Sequence, residues 1–142
     1  MPIITVKVAP HRPVENLEQA VAAAVADAST TILRKKAELT AVIVERVEPR
    51  SWFAGGASLA AQQASSFWLE IKVVDGTNTK DEKESFIAAI FARMGRLLGD
   101  LHPESYVHVH EVAADGYGFG GLTQERRYIA AKLDTPPARQ VA

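Results

Sequence analysis

The 142-residue chain contains no cysteine, and its charges nearly cancel, with 16 lysines and arginines against 17 aspartates and glutamates. Without cysteine there is no disulfide, no thiolate nucleophile and no cysteine-ligated zinc or iron site. A net charge of −1 gives no overall field to hold nucleic acid or an anionic membrane, so neither is expected as a partner. No apolar run approaches the roughly 18 residues that a membrane-spanning helix requires.

The beginning of the chain also lacks the features of a secretory signal. Residues 1–7 alternate between apolar and polar side chains, whereas a signal peptide needs a longer continuous apolar stretch. Length and balanced composition predict a cytoplasmic protein with a single domain over residues 1–133. Residues 134–142 include Pro136 and Pro137 and are predicted to form a flexible tail.

The sequence repeats itself with an offset of 65 residues. Residues 2–8 and 67–74 are both typical of strands, because they are rich in β-branched and aromatic residues. The glycine pair Gly55-Gly56 recurs as Gly120-Gly121. Further matches at the same offset are Val42 with Val107, Val44 with Val109, Val47 with Val112, and Trp52 with Tyr117. Several matches in register indicate an internal duplication.

Each copy contains a helix between two strands. In the second copy, Thr79 and Glu82 have the spacing of a capping box, and apolar residues follow at helical spacing up to Gly99. The first helix is predicted to begin near Pro13, since proline favours the first turn. The predicted organisation is therefore repeat 1 at about 2–56, a linker at 57–66, and repeat 2 at about 67–121 plus a C-terminal segment.

Two tandem βαβ units predict an α+β fold with two layers. Strands joined through a crossover helix run parallel, so the units together form a four-stranded sheet with both helices on one face. If the helices cover one set of alternating residues, the set facing outwards is Ile4, Val6, Val42, Val44, Leu69, Ile71, Val107 and Val109. That set is too apolar to remain in water, so a second copy of the chain is expected to cover it.

Three features together resemble the tautomerase superfamily: Pro2 directly after the initiator methionine, Arg12 ten residues later, and a glycine pair that closes the first unit. The tandem form is similar to the macrophage migration inhibitory factor group and the cis-3-chloroacrylic acid dehalogenase group, and a single unit is similar to 4-oxalocrotonate tautomerase. The resemblance covers roughly residues 2–133. It implies a homotrimer with a central barrel of three sheets, and an isomerase without a cofactor that acts on a small 2-oxo or enol carboxylic acid.

Pro2 is the candidate catalytic residue, as general base and acid. Removal of Met1, which a small second residue permits, leaves a secondary amine held rigidly by its ring. An apolar pocket disfavours the charged form of an amine and lowers its pKa towards neutral pH. Such an amine removes a proton next to a carbonyl and returns it to another carbon, which is keto–enol tautomerisation. The structural alternative is that Pro2 only begins an edge strand.

A carboxylate substrate also needs a cation. Arg12 matches the family's arginine by its spacing from Pro2, and a guanidinium suits bidentate binding of a carboxylate. The resemblance implies that this arginine commonly comes from the other repeat, where this chain has Thr77. Phe67 stands where that repeat would have its proline. Arg12 therefore faces either the Pro2 pocket or a degenerate second pocket, or it is a solvated or interface residue.

The migration inhibitory factor group has a pocket lysine, and a tyrosine and an asparagine from a neighbouring subunit. The resemblance puts Lys35 or Lys36 near the lysine, with Lys36 as the candidate, and Tyr106 and His108 at the other two positions. A phenol or an imidazole there polarises a substrate carbonyl or stabilises an enolate oxygen. The alternatives are a surface lysine and a half-exposed strand with hydrogen-bonded histidines.

The pair His108 and His110 also has the spacing of a common metal-ligand pair. His102 and Glu111 are the available further ligands, and neither is an obvious one. No metal site is therefore predicted, although a histidine metal-binding protein remains an alternative.

The chain departs from the pattern of the dehalogenase group. That group uses a helix histidine, two arginines and a glutamate, where this chain has Ser29, Val74 with Thr77, and Gly116 beside Asp115. The water-activating acid and the paired cations are missing, which disfavours hydratase or dehalogenase chemistry. A minimal proline-based tautomerase remains, beside a non-catalytic trimeric binding or scaffold protein of the same fold.

Overall fold

The computed structural model describes residues 1–135, so residues 136–142 of the predicted tail lie outside the described residues. In chain order the strands and helices are β1 Ile3–Ala9, α1 Leu17–Thr31, β2 Ala41–Arg46, β3 Phe53–Ala54, β4 Ala57–Ser58, α2 Leu59–Gln62, β5 Ser66–Val74, α3 Lys80–Leu98, β6 Tyr106–Val112, β7 Gly118–Phe119, β8 Leu122–Thr123 and α4 Gln124–Leu133. No helix among residues 1–135 is long and apolar enough to cross a membrane.

The four long strands form one sheet in the order β2-β1-β5-β6. Each βαβ unit pairs its two strands in parallel, whereas β1 and β5 pair antiparallel. Helices α1 and α3 contact each other and cover one face of the sheet, so the predicted α+β two-layer fold is confirmed. The antiparallel pairing sets Ile3 opposite Lys72 and Ala9 opposite Ser66. The start of β1 therefore lies beside the end of β5.

The duplication extends to the hydrogen bonds that follow β2 and β6. Leu59 N donates to Trp52 O at 2.8 Å, and 65 positions later Gln124 N donates to Tyr117 O at 2.8 Å. Helices α2 and α4 also both begin at a hydroxyl side chain that caps a backbone N–H. The segment 57–66, predicted as a linker, contains β4 and α2 and reaches the first residue of β5.

Helix α3 begins with the predicted capping box. Thr79 Oγ1 accepts a hydrogen bond from Glu82 N at 3.2 Å, and Glu82 Oε2 accepts one from Thr79 N at 2.9 Å. These bonds satisfy two amides of the first turn. They also fix the loop just before the helix, where Thr77 and Asn78 contact the first repeat.

The structure reverses the predicted use of the two sheet faces. The apolar set expected to face outwards packs under the helices, where Ile4, Val6, Leu69 and Ile71 are fully buried and Val42, Val44, Val107 and Val109 pack against the same core. Beside the apolar Ile3, Ile43, Val74 and Val112, the open face carries mostly polar and aromatic side chains, namely Thr5, Lys7, Trp68, Glu70, Lys72, Tyr106, His108 and His110. The prediction of an apolar outer face is therefore wrong, because alternation separates two faces without saying which one the helices cover.

Candidate active site

Pro2 is buried and directly precedes β1, a central strand of the sheet. Its carbonyl oxygen accepts a hydrogen bond from Ala41 N at 3.2 Å, which ties it to the start of β2. Proline is compatible with the position before β1 because it has no N–H to donate, and the backbone hydrogen bonds of the sheet begin at a later residue. The edges of the sheet are β2 and β6, so Pro2 does not begin an edge strand.

A tyrosine hydroxyl lies against the peptide bond that precedes Pro2. Tyr117 Oη donates a hydrogen bond to Met1 O at 2.6 Å. Burial raises the pKa of Tyr117, while a hydrogen bond with the Ile3 backbone and the charge of Lys72 act to lower it. From the sequence, Tyr117 was expected only as the counterpart of Trp52. The signal that points to it is the antiparallel pairing, which brings the segment after β6 to the start of β1.

Two lysines from the loop after α1 bring positive charge to the N-terminus. Lys35 Nζ donates to Thr77 Oγ1 at 3.1 Å, which connects repeat 1 to the loop before α3. Burial lowers the pKa of Lys35. Burial also lowers the pKa of the Met1 amino group, and the charges of Lys35 and Lys36 lower it further. Lys36, the predicted pocket lysine, is the more exposed of the two.

A second set of contacts holds the lysine loop against the first turn of α3. Asn78 is buried, and its Nδ2 donates to Leu33 O at 3.1 Å and to Glu82 Oε2 at 3.0 Å. Arg34 forms an ion pair with the same carboxylate. Glu82 therefore serves the capping box and both loop contacts, so the position of Lys35 depends on the start of α3.

Arg12 lies beyond the other end of β1 from Pro2, and its Nη2 pairs with Asp100 Oδ2 at 2.7 Å. A seven-residue strand separates the two ends, which is roughly 23 Å at the usual rise per residue. Asp100 and Thr77 stand 65 positions after Lys35 and Arg12 respectively. The Arg12–Asp100 pair is thus the counterpart of the Lys35–Thr77 contact. Within one chain, the structure places Arg12 at the pocket of repeat 2.

The pocket of repeat 2 is filled by an apolar side chain. Phe67, the counterpart of Pro2, is fully buried, and its ring centre lies 6.3 Å from that of Phe91. The backbone before it is held by His11 N, which donates to Ser65 Oγ at 2.8 Å, and by His102 N, which donates to Ser65 O at 2.8 Å. Repeat 2 therefore has a buried aromatic ring where repeat 1 has Pro2.

Tyr106 and His108 lie on the open sheet face of β6 and do not reach Pro2 within the chain. Tyr106 pairs in register with Trp68, and its hydroxyl donates to Glu104 Oε1 at 3.1 Å. His108 Nδ1 lies 3.2 Å from His110 Nε2. Because β6 is an edge strand, a contact of either residue with a Pro2 pocket requires a second copy of the chain.

The ligands considered for a metal are dispersed. His102 Nδ1 accepts a hydrogen bond from Glu104 N at 3.0 Å, and Glu111 pairs with Lys83 at 2.9 Å. Within residues 1–135, no group of three or more histidine, aspartate or glutamate side chains is arranged to hold a metal ion.

Comparison with known proteins agrees with the two-repeat architecture. The model of the Tautomerase enzyme family matches residues 2–62, which contain repeat 1. A fused 4-OT solved as a symmetric trimer has a TM-score of 0.73 at 15% identity, and the match covers 87% of this chain and 96% of that chain. No curated protein sequence matches the chain.

Two further solved structures have the same fold. A malonate semialdehyde decarboxylase inhibited by 3-bromopropiolate is 22% identical, with a TM-score of 0.68 over 94% of this chain and 99% of that chain. A macrophage migration inhibitory factor-like protein from Entamoeba histolytica is 16% identical, with a TM-score of 0.70 over 86% of this chain and 97% of that chain. The chain therefore has the fold of these solved structures, and the Tautomerase enzyme family model matches its first repeat.

Proposed function

We propose that the chain is an N-terminal-proline tautomerase, an isomerase that interconverts the keto and enol forms of a small 2-oxo carboxylic acid. The observation that carries this proposal is the setting of Pro2, which is buried before the start of a central strand, next to a Met1 amine on which the charges of Lys35 and Lys36 act. A rigid base next to a cation suits a reaction in which a proton leaves the carbon beside a carbonyl of an acidic substrate.

Pro2 becomes basic only when Met1 is removed. With Met1 attached, its nitrogen belongs to a peptide bond and its lone pair is delocalised. After removal, the same nitrogen is a secondary amine in a buried position near Lys35 and Lys36, so the causes that lower the pKa of the Met1 amine act on it too. The neutral amine takes a proton from the carbon next to the 2-oxo group. The ammonium then returns the proton to another carbon of the enolate, or the enolate oxygen takes a proton from water to give the enol.

We assign the substrate carboxylate to Lys35. Its ammonium is partly buried and held by Thr77, a neutral partner, and it forms no salt bridge with any carboxylate among residues 1–135. The predicted Arg12 has its charge compensated by Asp100 at the other end of β1, and the predicted Lys36 is more exposed. Burial lowers the pKa of Lys35 and the charge of Glu82 acts to raise it, so this carboxylate partly compensates Lys35 without pairing with it. A partly buried cation without a salt-bridge partner binds a carboxylate more strongly than an exposed, paired one.

One observation favours a second candidate, a non-catalytic binding or scaffold protein of the same fold. The Met1 carbonyl oxygen takes the hydrogen bond of Tyr117, so a chain that keeps Met1 has a satisfied contact and no amine at this place. The mass of the intact purified protein separates the two candidates, because the scaffold retains Met1 and the enzyme does not.

Covalent labelling tests the proposed function directly. A free Pro2 amine displaces bromide from 3-bromopyruvate, and peptide mapping is expected to find the adduct on Pro2. The matched control is the same sequence produced with methionine aminopeptidase inhibited, so that Met1 blocks the nitrogen. Labelling of other residues alone in the Met1-free protein, with Pro2 unmodified, would contradict the proposal.

We further propose that the chain works as a homotrimer. Helix α4 buries none of its residues within the chain, and Tyr128, Ile129 and Leu133 on it are 65%, 51% and 80% exposed. Such apolar exposure indicates a contact surface. The edge strands β2 and β6 also leave main-chain groups free to pair with another copy. A matching fold has been solved as a symmetric trimer.

The solution mass tests the trimer. Light scattering after gel filtration is expected to give three times the 15.4 kDa mass of the chain. Charges at two apolar positions, Ile129→Asp with Leu133→Asp, are expected to lower that mass by disrupting the contact of α4. The control Arg126→Asp changes a polar position of the same helix and is expected to leave the mass unchanged. A monomeric wild-type protein would rule out the proposed assembly.

A further inference from the structure

Tyr117 is held in place by the hairpin that follows it. Arg127 closes the hairpin, since its Nη2 donates to Phe119 O at 2.9 Å and its guanidinium lies 3.7 Å from the centre of the Phe119 ring. Gly118 leaves no room for a side chain, because a Cβ there would lie 2.3 Å from Leu122 O. The hairpin therefore fixes the backbone next to Tyr117. The position of the Tyr117 side chain is set by this backbone and does not require a bound substrate.

The hydroxyl of Tyr117 points to the atoms around the nitrogen of Pro2. It donates to Met1 O at 2.6 Å, and the carbonyl carbon of Met1 is bonded to that nitrogen. By covalent geometry, Tyr117 Oη lies within about 5 Å of the Pro2 nitrogen. A carbonyl oxygen that accepts from Tyr117 is thus held close to the atom that would remove the proton.

Resting on the proposed tautomerase function, we propose that Tyr117 is a further catalytic residue whose hydroxyl donates a hydrogen bond to the 2-oxo oxygen of the substrate. In the chain that carries Met1, the carbonyl oxygen of that residue occupies the position that the substrate oxygen takes. The hydroxyl then stabilises the oxygen on which negative charge develops, from a position fixed before the substrate arrives.

The reaction balances with water as the only other reagent. The C–H bond next to the 2-oxo group breaks, its proton goes to the Pro2 nitrogen, and its electron pair becomes the C=C bond of the enolate. The π electrons of the C=O bond move to the oxygen that Tyr117 faces. Tyr117 keeps its own proton throughout. To give the enol, the enolate oxygen takes a proton from water and the Pro2 ammonium releases its proton to water. In the reverse direction the enol O–H proton goes to water while the Pro2 ammonium protonates carbon, which restores the carbonyl and the neutral amine.

Two observations support Tyr117, and not the predicted Tyr106, as the donor to the substrate oxygen. Tyr117 is half-buried, whereas Tyr106 is 47% exposed. Tyr106 lies on the open sheet face and donates to Glu104. Within one chain, Tyr117 is the tyrosine whose hydroxyl contacts the residue bonded to Pro2.

The test compares Tyr117→Phe with Ser85→Ala, which removes an exposed hydroxyl from α3. The probe is the enol of phenylpyruvate, whose conversion to the keto form is followed by ultraviolet absorbance. Loss of one donor to a developing oxyanion is expected to lower kcat by about 10²–10³-fold with a much smaller change in KM. Ser85→Ala is expected to retain the wild-type kcat.

Binding of oxalate provides a readout that does not depend on turnover. Oxalate is a planar dianion similar to the enolate of a 2-oxo acid, and its Kd is expected to rise about tenfold in Tyr117→Phe, as for the loss of one hydrogen bond. A wild-type kcat, or an unchanged Kd, in the folded variant overturns the role of Tyr117 while labelling of Pro2 still stands. A wild-type protein without an amine at Pro2, shown by mass and labelling, overturns the proposed function itself.

Discussion

Replacing Pro2 by alanine in the Met1-free protein is expected to slow enol–keto conversion by about 10²–10⁴-fold, the usual contribution of a positioned general base. The alanine variant keeps an N-terminal amine but loses the ring that orients it, and a primary amine on a freely rotating residue is poorly aligned with the substrate carbon. The rate is measured with the enol of phenylpyruvate at a fixed pH.

A second protein separates the loss of orientation from the loss of basicity. The wild-type sequence with Met1 retained has the ring of Pro2 in place but only an amide nitrogen, and its rate is expected to equal that of buffer. Circular dichroism and thermal unfolding verify that both proteins are folded. Full activity in the Met1-retaining protein would show that another group moves the proton.

Replacing Lys35 by methionine is expected to raise the KM for a 2-oxo acid by about 10- to 100-fold, which corresponds to the loss of a hydrogen bond to a charged group. Methionine keeps much of the apolar stem, so the packing beside Thr77 changes little. The same substitution removes a positive charge that lowers the pKa of the N-terminal amine. The pKa of that amine therefore rises, and the rising limb of the pH–rate profile moves to higher pH.

The control for Lys35→Met is Arg12→Met, which removes the other cation considered for the substrate carboxylate. Because Arg12 pairs with Asp100 at the other end of β1, its loss is expected to leave both KM and the pH profile close to those of the wild type. If Arg12→Met raises KM and Lys35→Met does not, the carboxylate is bound by an arginine of a neighbouring copy and the assignment to Lys35 is wrong.

The fold was predictable from the sequence because its signals are local or repeated. The capping box of Thr79 and Glu82 involves residues three positions apart, and the 65-residue offset reappears in matching hydrogen bonds from Leu59 and Gln124. The face of the sheet that the helices cover was not predictable in the same way. Alternation along β1 separates Ile4 from Thr5 but does not say which of them points to the helices.

The residues of the candidate site could not be predicted from the sequence without knowing that β1 pairs with β5. The contact between Tyr117 and Met1 joins residues 116 positions apart, and nothing in the local sequence of either marks it. The same pairing supports the proposed choice of Lys35 over Arg12, because it sets the loop of Thr77 beside Lys35 and leaves Arg12 with Asp100. At the 65-residue offset, Arg12 corresponds to Thr77 and Lys35 corresponds to Asp100. These correspondences indicate which residues lie side by side only when the antiparallel register of β1 and β5 is known.

The proton that Pro2 is proposed to move can be followed directly. In D₂O, the hydrogens next to the carbonyl of a 2-oxo acid such as 2-oxobutanoate exchange with deuterium, and proton NMR measures their loss. The Met1-free protein is expected to accelerate this exchange well above the rate in buffer, with Pro2→Ala much slower and the Met1-retaining protein without effect. Equal exchange rates with and without Met1 would contradict the assignment of Pro2 as the base.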